Sequence, residues 1–300
     1  MRILVPVDES EMSRRVVEYL LRHESLLGAK PEIELVNVQY SVPESIIQLF
    51  GMAAVKQYYL ETGKNAFDDL SKKFDLKPLN AEERVLYGDV GTKLAEEAKA
   101  FKADLIVMGT RGLNPMKGLL LGSVSNALLA RTRVPMLLIR EATRAIPEKM
   151  RVGIFVDGSK YGEAAADFVL GHLELFGPDA QFTIVHCAEP VPDPIAPNPV
   201  NPMTPVLTRE ELEDEQKKDF KEAVQAVLDP FEVGGVNVQA KLLIGDPYKK
   251  LPEYANANLD LVVMGSHGYG SFTAAVMGST AMHTAAETHV PILVIRRPEE

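Results

Sequence analysis

The sequence contains itself twice. The opening RILVPVDES recurs as RVGIFVDGS after Met150, so that Asp8 is answered by Asp157 and Ser10 by Ser159. Tyr87-Gly88-Asp89 returns as Ile244-Gly245-Asp246, Ala103–Thr110 as Leu259–Ser266, and Val134–Arg140 as Val290–Arg296. The offset is 149 at Asp8 and 156 at Gly109, so the second copy gained a net seven residues in between. The Pro-rich stretch Glu189–Pro205 accounts for them, and proline at that density reads as an extended surface loop. A period of this length splits the chain into two units, 1–141 and 150–298, joined by a linker at Glu141–Lys149. Each is long enough to bury a core of its own.

Within each copy, short Val/Ile/Leu runs alternate with helical patterns. Strands are expected near 2–7, 32–38, 82–87, 104–108 and 135–139, with helices near 12–27, 52–74, 91–101 and 123–131. The second copy repeats this with strands near 151–156, 181–187, 236–243, 260–264 and 291–295, and helices near 160–175, 208–229, 247–256 and 279–287. Apolar runs separated by helices imply right-handed crossovers. The fold class is therefore α/β, a doubly wound parallel sheet in each copy with helices on both faces. Such sheets bind ligands beyond the carboxyl ends of their strands, which directs attention to the residues after strands one and four.

After strand four of copy one stands Gly109-Thr110-Arg111-Gly112, then nine residues, then Gly122-Ser123 opening a helix. Copy two has Gly265-Ser266-His267-Gly268, nine residues, and Gly278-Ser279. Glycines let backbone turn tightly and approach an anion, and a helix N-terminus offers unpaired N–H groups and a partial positive charge. Ser123, Val124 and Ser125 stand at that N-terminus, where their hydroxyls can meet phosphate oxygens. The competing reading is structural: glycines mark turns everywhere, and Gly-Ser before a helix is commonly just a cap. Duplication would copy a structural loop as faithfully as a binding loop. Strand one ends in Pro6-Val7-Asp8, where a carboxylate can accept from a ribose hydroxyl or an adenine amino group, or simply cap the next turn.

At these residues the sequence resembles the universal stress protein family in its tandem form. The resemblance rests on the Asp after strand one, the Gly-Asp before the third helix and the Gly-x2-Gly-x9-Gly-Ser loop, present in both copies. It implies a five-stranded parallel sheet ordered 3-2-1-4-5 in each copy. It also implies pairing through strand five, which a tandem chain can make internally, and two such chains can pair further as a homodimer. It implies ATP or a related adenine nucleotide, with Mg²⁺ carried on the phosphates. Adenine would meet backbone at Val7 and Val38 in copy one, and at Val156 and Cys187 in copy two. Phosphates would meet Gly109, Arg111, Gly112, Gly122, Ser123, Val124 and Ser125. Met108 completes the first site; Asp157, Met264, Gly265, His267, Gly268, Gly278, Ser279 and Thr280 complete the second. Copy two departs from the pattern: Arg111 becomes His267, a weaker phosphate partner than a guanidinium. Val124-Ser125 becomes Thr280-Ala281, and the basic Lys117 has no counterpart in the second loop. The first site is thus expected to be the better equipped.

Other classes are disfavoured. A net charge of −10 disfavours binding to nucleic acid backbones. No apolar run approaches the length of a membrane span, and the N-terminus does not read as a signal peptide. One cysteine, Cys187, rules out an intrachain disulfide and fits a cytoplasmic protein. None of the six histidines has metal-ligand spacing, and no protein-only metal site is expected. No nucleophilic triad or Gly-x-Ser-x-Gly turn is present, so no catalytic residues are assigned. The expected function is an adenine nucleotide-binding stress-response regulator with little or no turnover. A slow ATPase would need a water-positioning carboxylate, for which Asp8 and Asp89 are the candidates. A third reading is a scaffold that binds lipid or protein through the Pro-rich loop and residues 41–60.

Overall fold

A computed structural model describes residues 1–23, 31–110, 122–140, 149–191, 208–267 and 277–296. The first repeat runs β1 (Arg2–Pro6), α1 (Glu11–Arg22), β2 (Glu32–Gln39), α2 (Glu44–Phe50), α3 (Met52–Lys73), β3 (Glu82–Tyr87), α4 (Val90–Ala100), β4 (Leu105–Gly109), α5 (Ser123–Arg131) and β5 (Met136–Ile139). The second runs β6 (Arg151–Phe155), α6 (Lys160–Gly171), β7 (Gln181–Ala188), α7 (Arg209–Val233), β8 (Val238–Ile244), α8 (Pro247–Asn258), β9 (Leu261–Gly265), α9 (Ser279–Glu287) and β10 (Ile292–Ile295).

All ten strands stand in one sheet, ordered β3-β2-β1-β4-β5-β10-β9-β6-β7-β8. Each half is parallel and ordered 3-2-1-4-5, as expected. The seam is antiparallel, with Ile292 opposite Leu138, Leu293 opposite Leu137 and Val294 opposite Met136. The physical cause is burial. β5 (MLLI) and β10 (ILVI) are buried at every position, and either one left at an edge would hold apolar side chains and unpaired backbone in water. The true edges, β3 and β8, instead expose Glu82, Glu83, Arg84 and Lys241, the charges that keep edges from pairing further.

Helices cover both faces. On one side α1 presents Val16, Val17 and Leu20 and α3 presents Phe67 and Leu70, continuous with Val169 of α6 and Val224 and Phe231 of α7. On the other, Leu94, Leu128, Leu251 and Ala285 come from α4, α5, α8 and α9. α1 shows why these segments are helical: its buried residues recur at helical spacing, and Ser10 caps it by accepting from the Ser13 N–H.

Three expected elements differ. The helix expected to reach residue 175 ends at Gly171, and Leu173–Phe176 form a tighter 3-10 turn. Residues 44–50, expected as loop, form α2. Finally, α7 continues through Pro230 to Val233. The expected end of the first helix at 27, most of the 141–149 linker and most of the Pro-rich loop lie outside the described residues.

Candidate functional site at the carboxyl end of the sheet

β1 delivers Pro6, Val7 and Asp8 to the carboxyl end of the sheet. The Asn37 side-chain amide donates to the Val7 carbonyl at 2.9 Å, and the Val7 N–H donates to Val36 at 2.9 Å, fixing this corner against β2. The Asp8 carboxylate accepts from the Ser13 hydroxyl at 2.6 Å and from the Ser10 N–H at 3.0 Å. Its structural role as a turn anchor is therefore real, whatever else it does. Val38 lies on β2 against the core face that also holds Met108. Copy two builds the same corner with different atoms. His186 Nδ1 bonds the Val156 carbonyl at 3.0 Å where copy one uses Asn37, and Gly162 stands where copy one has Ser13.

The strand-four loops close alike in both copies. The Gly122 N–H donates to the Thr110 carbonyl at 2.6 Å, and the Gly278 N–H to the Ser266 carbonyl at 2.8 Å. Each glycine then stands as the N-cap of its helix, and no side chain caps either one. By contrast α1, α4, α6 and α8 are capped by Ser10, Asp89, Ser159 and Asp246. The first N–H groups of a helix have no partner within it. Among the described residues, that end of α5 and of α9, with its partial positive charge, has no capping side chain. Ser123 and Val124 stand at the entrance of α5, while the Ser125 hydroxyl turns inward and donates to the Gly109 carbonyl at 3.3 Å. In copy two the hydroxyls of Ser279 and Tyr248 bond each other at 3.1 Å. Gly265 is required for packing there: a Cβ on it would lie 2.6 Å from Tyr161 Cβ and 2.7 Å from Tyr161 backbone.

The second copy forms a partly open cavity of about 240 Å³ at this corner. Val156, Asp157, Cys187, Met264, Gly265, His267, Gly278, Ser279 and Thr280, all named from sequence, line it together. Sequence reasoning missed Gly162, Pro247 and Leu251 as lining residues. Pro247 and Leu251 belong to α8, directly after the repeated Gly245-Asp246, so extending the repeat alignment one helical turn would have found them. His267 shares a 3.0 Å hydrogen bond with the Ser266 hydroxyl and lies 5.2 Å from the Tyr161 ring. Arg111, Gly112, Lys117 and Gly268 lie outside the described residues.

Two titratable groups near the corner have environments that explain their shifts. Asp89 accepts from both the hydroxyl and the N–H of Thr92, at 2.6 and 2.9 Å, and these bonds hold its carboxyl below the usual range. It is an ionised helix cap. Burial, with Asp246 second, pushes the Cys187 thiol up to about 11, so Cys187 is a small neutral wall of the cavity rather than a redox group.

Known proteins share this architecture. The universal stress protein family model matches residues 1–140 and again 150–296. A universal stress protein of Mycolicibacterium smegmatis is 27% identical over 300 residues, covering 98% of this chain and 96% of that one. One from Mycobacterium tuberculosis is 30% identical over 217 residues, 72% of this chain and 65% of the relative. Among solved structures, a universal stress protein from Archaeoglobus fulgidus superposes with a TM-score of 0.67 at 21% identity, covering 99% of this chain and 98% of that one. The chain belongs to the universal stress protein family, with two copies of the family domain in one polypeptide.

Proposed function

We propose that this protein is an adenine nucleotide-binding regulator of stress adaptation that works by occupancy, with little or no turnover. The observation that carries the reading is the pair of helix N-termini at α5 and α9, each glycine-capped and free of a side-chain cap, at the carboxyl end of the sheet. In copy two that N-terminus opens on a partly open cavity. In this reading the units are 1–141 and 150–298. The apolar part of the cavity takes the base, between Val156, Cys187 and Met264, and Val7, Val38 and Met108 do the same in copy one. Phosphates rest on the N-termini headed by Gly122 and Gly278, with Ser123, Val124 and Arg111, or Ser279, Thr280 and His267, beside them. ATP fits this cradle by its chemistry, an apolar base joined to an anion, and Mg²⁺ would arrive on its phosphates. A cavity of this size matches a nucleoside better than a whole nucleotide, since pockets for drug-sized ligands run to roughly 300–1,000 Å³. The phosphates would therefore project beyond it.

Hydrolysis finds less support. Asp8 and Asp89, the two candidate carboxylates, are both held as local caps.

The test is direct. The chain is purified in EDTA, extracted with acid for bound nucleotide, and titrated with ATP and Mg²⁺. Binding in at least one site is expected, and Gly122→Val, which places a branched side chain at the α5 N-terminus, removes the site-one component. ATP affinity weaker than millimolar overturns the reading. Unchanged affinity in Gly122→Val overturns the site assignment.

A further inference from the structure

The two repeats differ at one matched pair of positions on the helices that flank strand four. Setting Gly88-Asp89 against Gly245-Asp246 puts Gly91 opposite Tyr248, and setting Gly122 against Gly278 puts Ala127 opposite His283. In copy one both residues are small and α4 touches α5: a Cβ on Gly91 would lie 2.7 Å from the Ala127 Cβ. In copy two both are rings, with centroids 4.8 Å apart. Pro247 and Leu251 of α8 and Ser279, Thr280 and Ala281 of α9 line the cavity beside them. Tyr248 does more than space the helices. Its backbone N–H donates to the Asp246 carboxylate at 3.0 Å, which seats it in the first turn of α8. Its ring meets His283, one turn along α9 from Ser279. Its hydroxyl, positioned from both sides, donates to the Ser279 hydroxyl oxygen at 3.1 Å. A hydroxyl that accepts a hydrogen bond is polarised and donates its own proton more strongly. Ser279 is exposed, lines the cavity and is the first residue of α9, so that proton can meet an anion at the helix N-terminus. Gly91 has no side chain with which to do the same for Ser123.

We infer that Tyr248 sets the ligand class of the second site, which takes an adenine nucleoside monophosphate in preference to the triphosphate. The inference rests on the nucleotide reading above and assigns the two sites different ligands. Charge supplies the preference. Among the described lining residues there is no lysine or arginine, Asp157 is the one carboxylate, and His267 is the one side chain able to carry positive charge. A single phosphate can be met by the first N–H groups of α9, by the Ser279 hydroxyl that Tyr248 polarises, and by His267. A second and a third phosphate add negative charge with no fixed cation among those residues, in a chain already at −10. Volume points the same way. At about 240 Å³ the cavity holds little beyond a nucleoside, so the first phosphate is the one that Ser279 can reach at its mouth.

The test is calorimetric titration of the full chain carrying Gly122→Val, which removes the first site, with adenosine, adenosine monophosphate and ATP with Mg²⁺. The monophosphate is expected to bind more tightly than either of the others. Adding Tyr248→Phe keeps the ring on His283 and removes the hydroxyl alone. It is expected to weaken the monophosphate roughly two- to tenfold, the range of one hydrogen bond, and to leave adenosine unchanged. A ring that only spaces the helices gives no such loss. ATP binding this site as tightly as the monophosphate overturns the inference, as does monophosphate affinity unmoved by Tyr248→Phe or an equal loss for adenosine. Should Gly122→Val fail to fold, the wild-type chain loaded with one equivalent of ATP and Mg²⁺ is expected to take up one monophosphate per chain, more weakly with Tyr248→Phe. Monophosphate that only displaces the ATP overturns the inference. A wild type that binds ATP but no monophosphate overturns the inference alone, and one that binds none of the three ligands overturns the nucleotide reading beneath it.

Discussion

Glu34 shows what one residue can reveal about the fold's electrostatics. It sits on β2 under α4 with its side chain only 4% exposed, and one carboxylate oxygen has no hydrogen-bond partner. Arg84 lies 3.1 Å from Glu97 and 3.9 Å from Glu34, so a single guanidinium serves two carboxylates. Burial first, and Glu97 second, push the Glu34 carboxyl up to about 7. The folded state therefore binds a proton more tightly than the unfolded chain. The stability this confers is full below the unfolded value near 4.5 and is lost as pH rises through about 7. Glu34→Gln should remove that slope, and its stability relative to wild type should grow by about 2 kcal/mol between about pH 5 and pH 8. Urea denaturation at both pH values checks this. Gly265 is a second residue-scale case. Its Cβ would collide with the backbone of Tyr161, so Gly265→Ala should cost about 1–3 kcal/mol, read as a lowered Tm.

Among elements, α5 and α9 are tied to each other across the seam. Their N-termini lack side-chain caps, and their C-termini are served by the opposite repeat. Arg140, just after β5, donates to the Ala286 and Thr288 carbonyls at 2.6 and 3.0 Å. Arg296, just after β10, donates to the Leu129 carbonyl at 2.6 Å. A guanidinium at a helix C-terminus satisfies its orphan carbonyls and complements its dipole. The double variant Arg140→Ala/Arg296→Ala should lose roughly 2 kcal/mol for each charged bond removed. Thermal denaturation measures the loss, and Arg140→Ala alone, which removes two of the three bonds, should show about twice the loss of Arg296→Ala alone. The site elements were legible because β4, β9 and their glycines repeat at fixed spacing. The start of α2 was not: its apolar residues imply a buried face, and none is buried within the chain.

For the whole molecule, the seam is the defining feature. Ten strands form one sheet with a core layer on each face, and both layers run through both repeats. A destabilising change at the seam should therefore be felt in both halves. Leu138→Asp places a charge opposite Ile292 in a fully buried strand and is expected to abolish soluble folding of the full chain. Soluble, cooperatively folded protein would show that the halves do not depend on the seam.

The repeat, the α/β alternation and the glycine loops were determined by the sequence alone. These are local properties: hydrophobic period, turn chemistry and helix start signals act over a few residues, and duplication printed them twice. Tertiary structure decided which atoms do the work. The sequence left Asp8 as either a ligand acceptor or a cap of the next turn, and the folded chain holds it on Ser10 and Ser13, as it holds Asp89 on Thr92. The sequence marked Val134–Arg140 and Val290–Arg296 as matching strands, but only the folded sheet turned them antiparallel and sent each arginine to the other repeat's helix. Only the fold brought the α8 residues Pro247 and Leu251, which the motif did not include, to the wall of the copy-two cavity. Contacts between residues more than a hundred positions apart leave no periodicity to read, because they depend on which surfaces burial brings together.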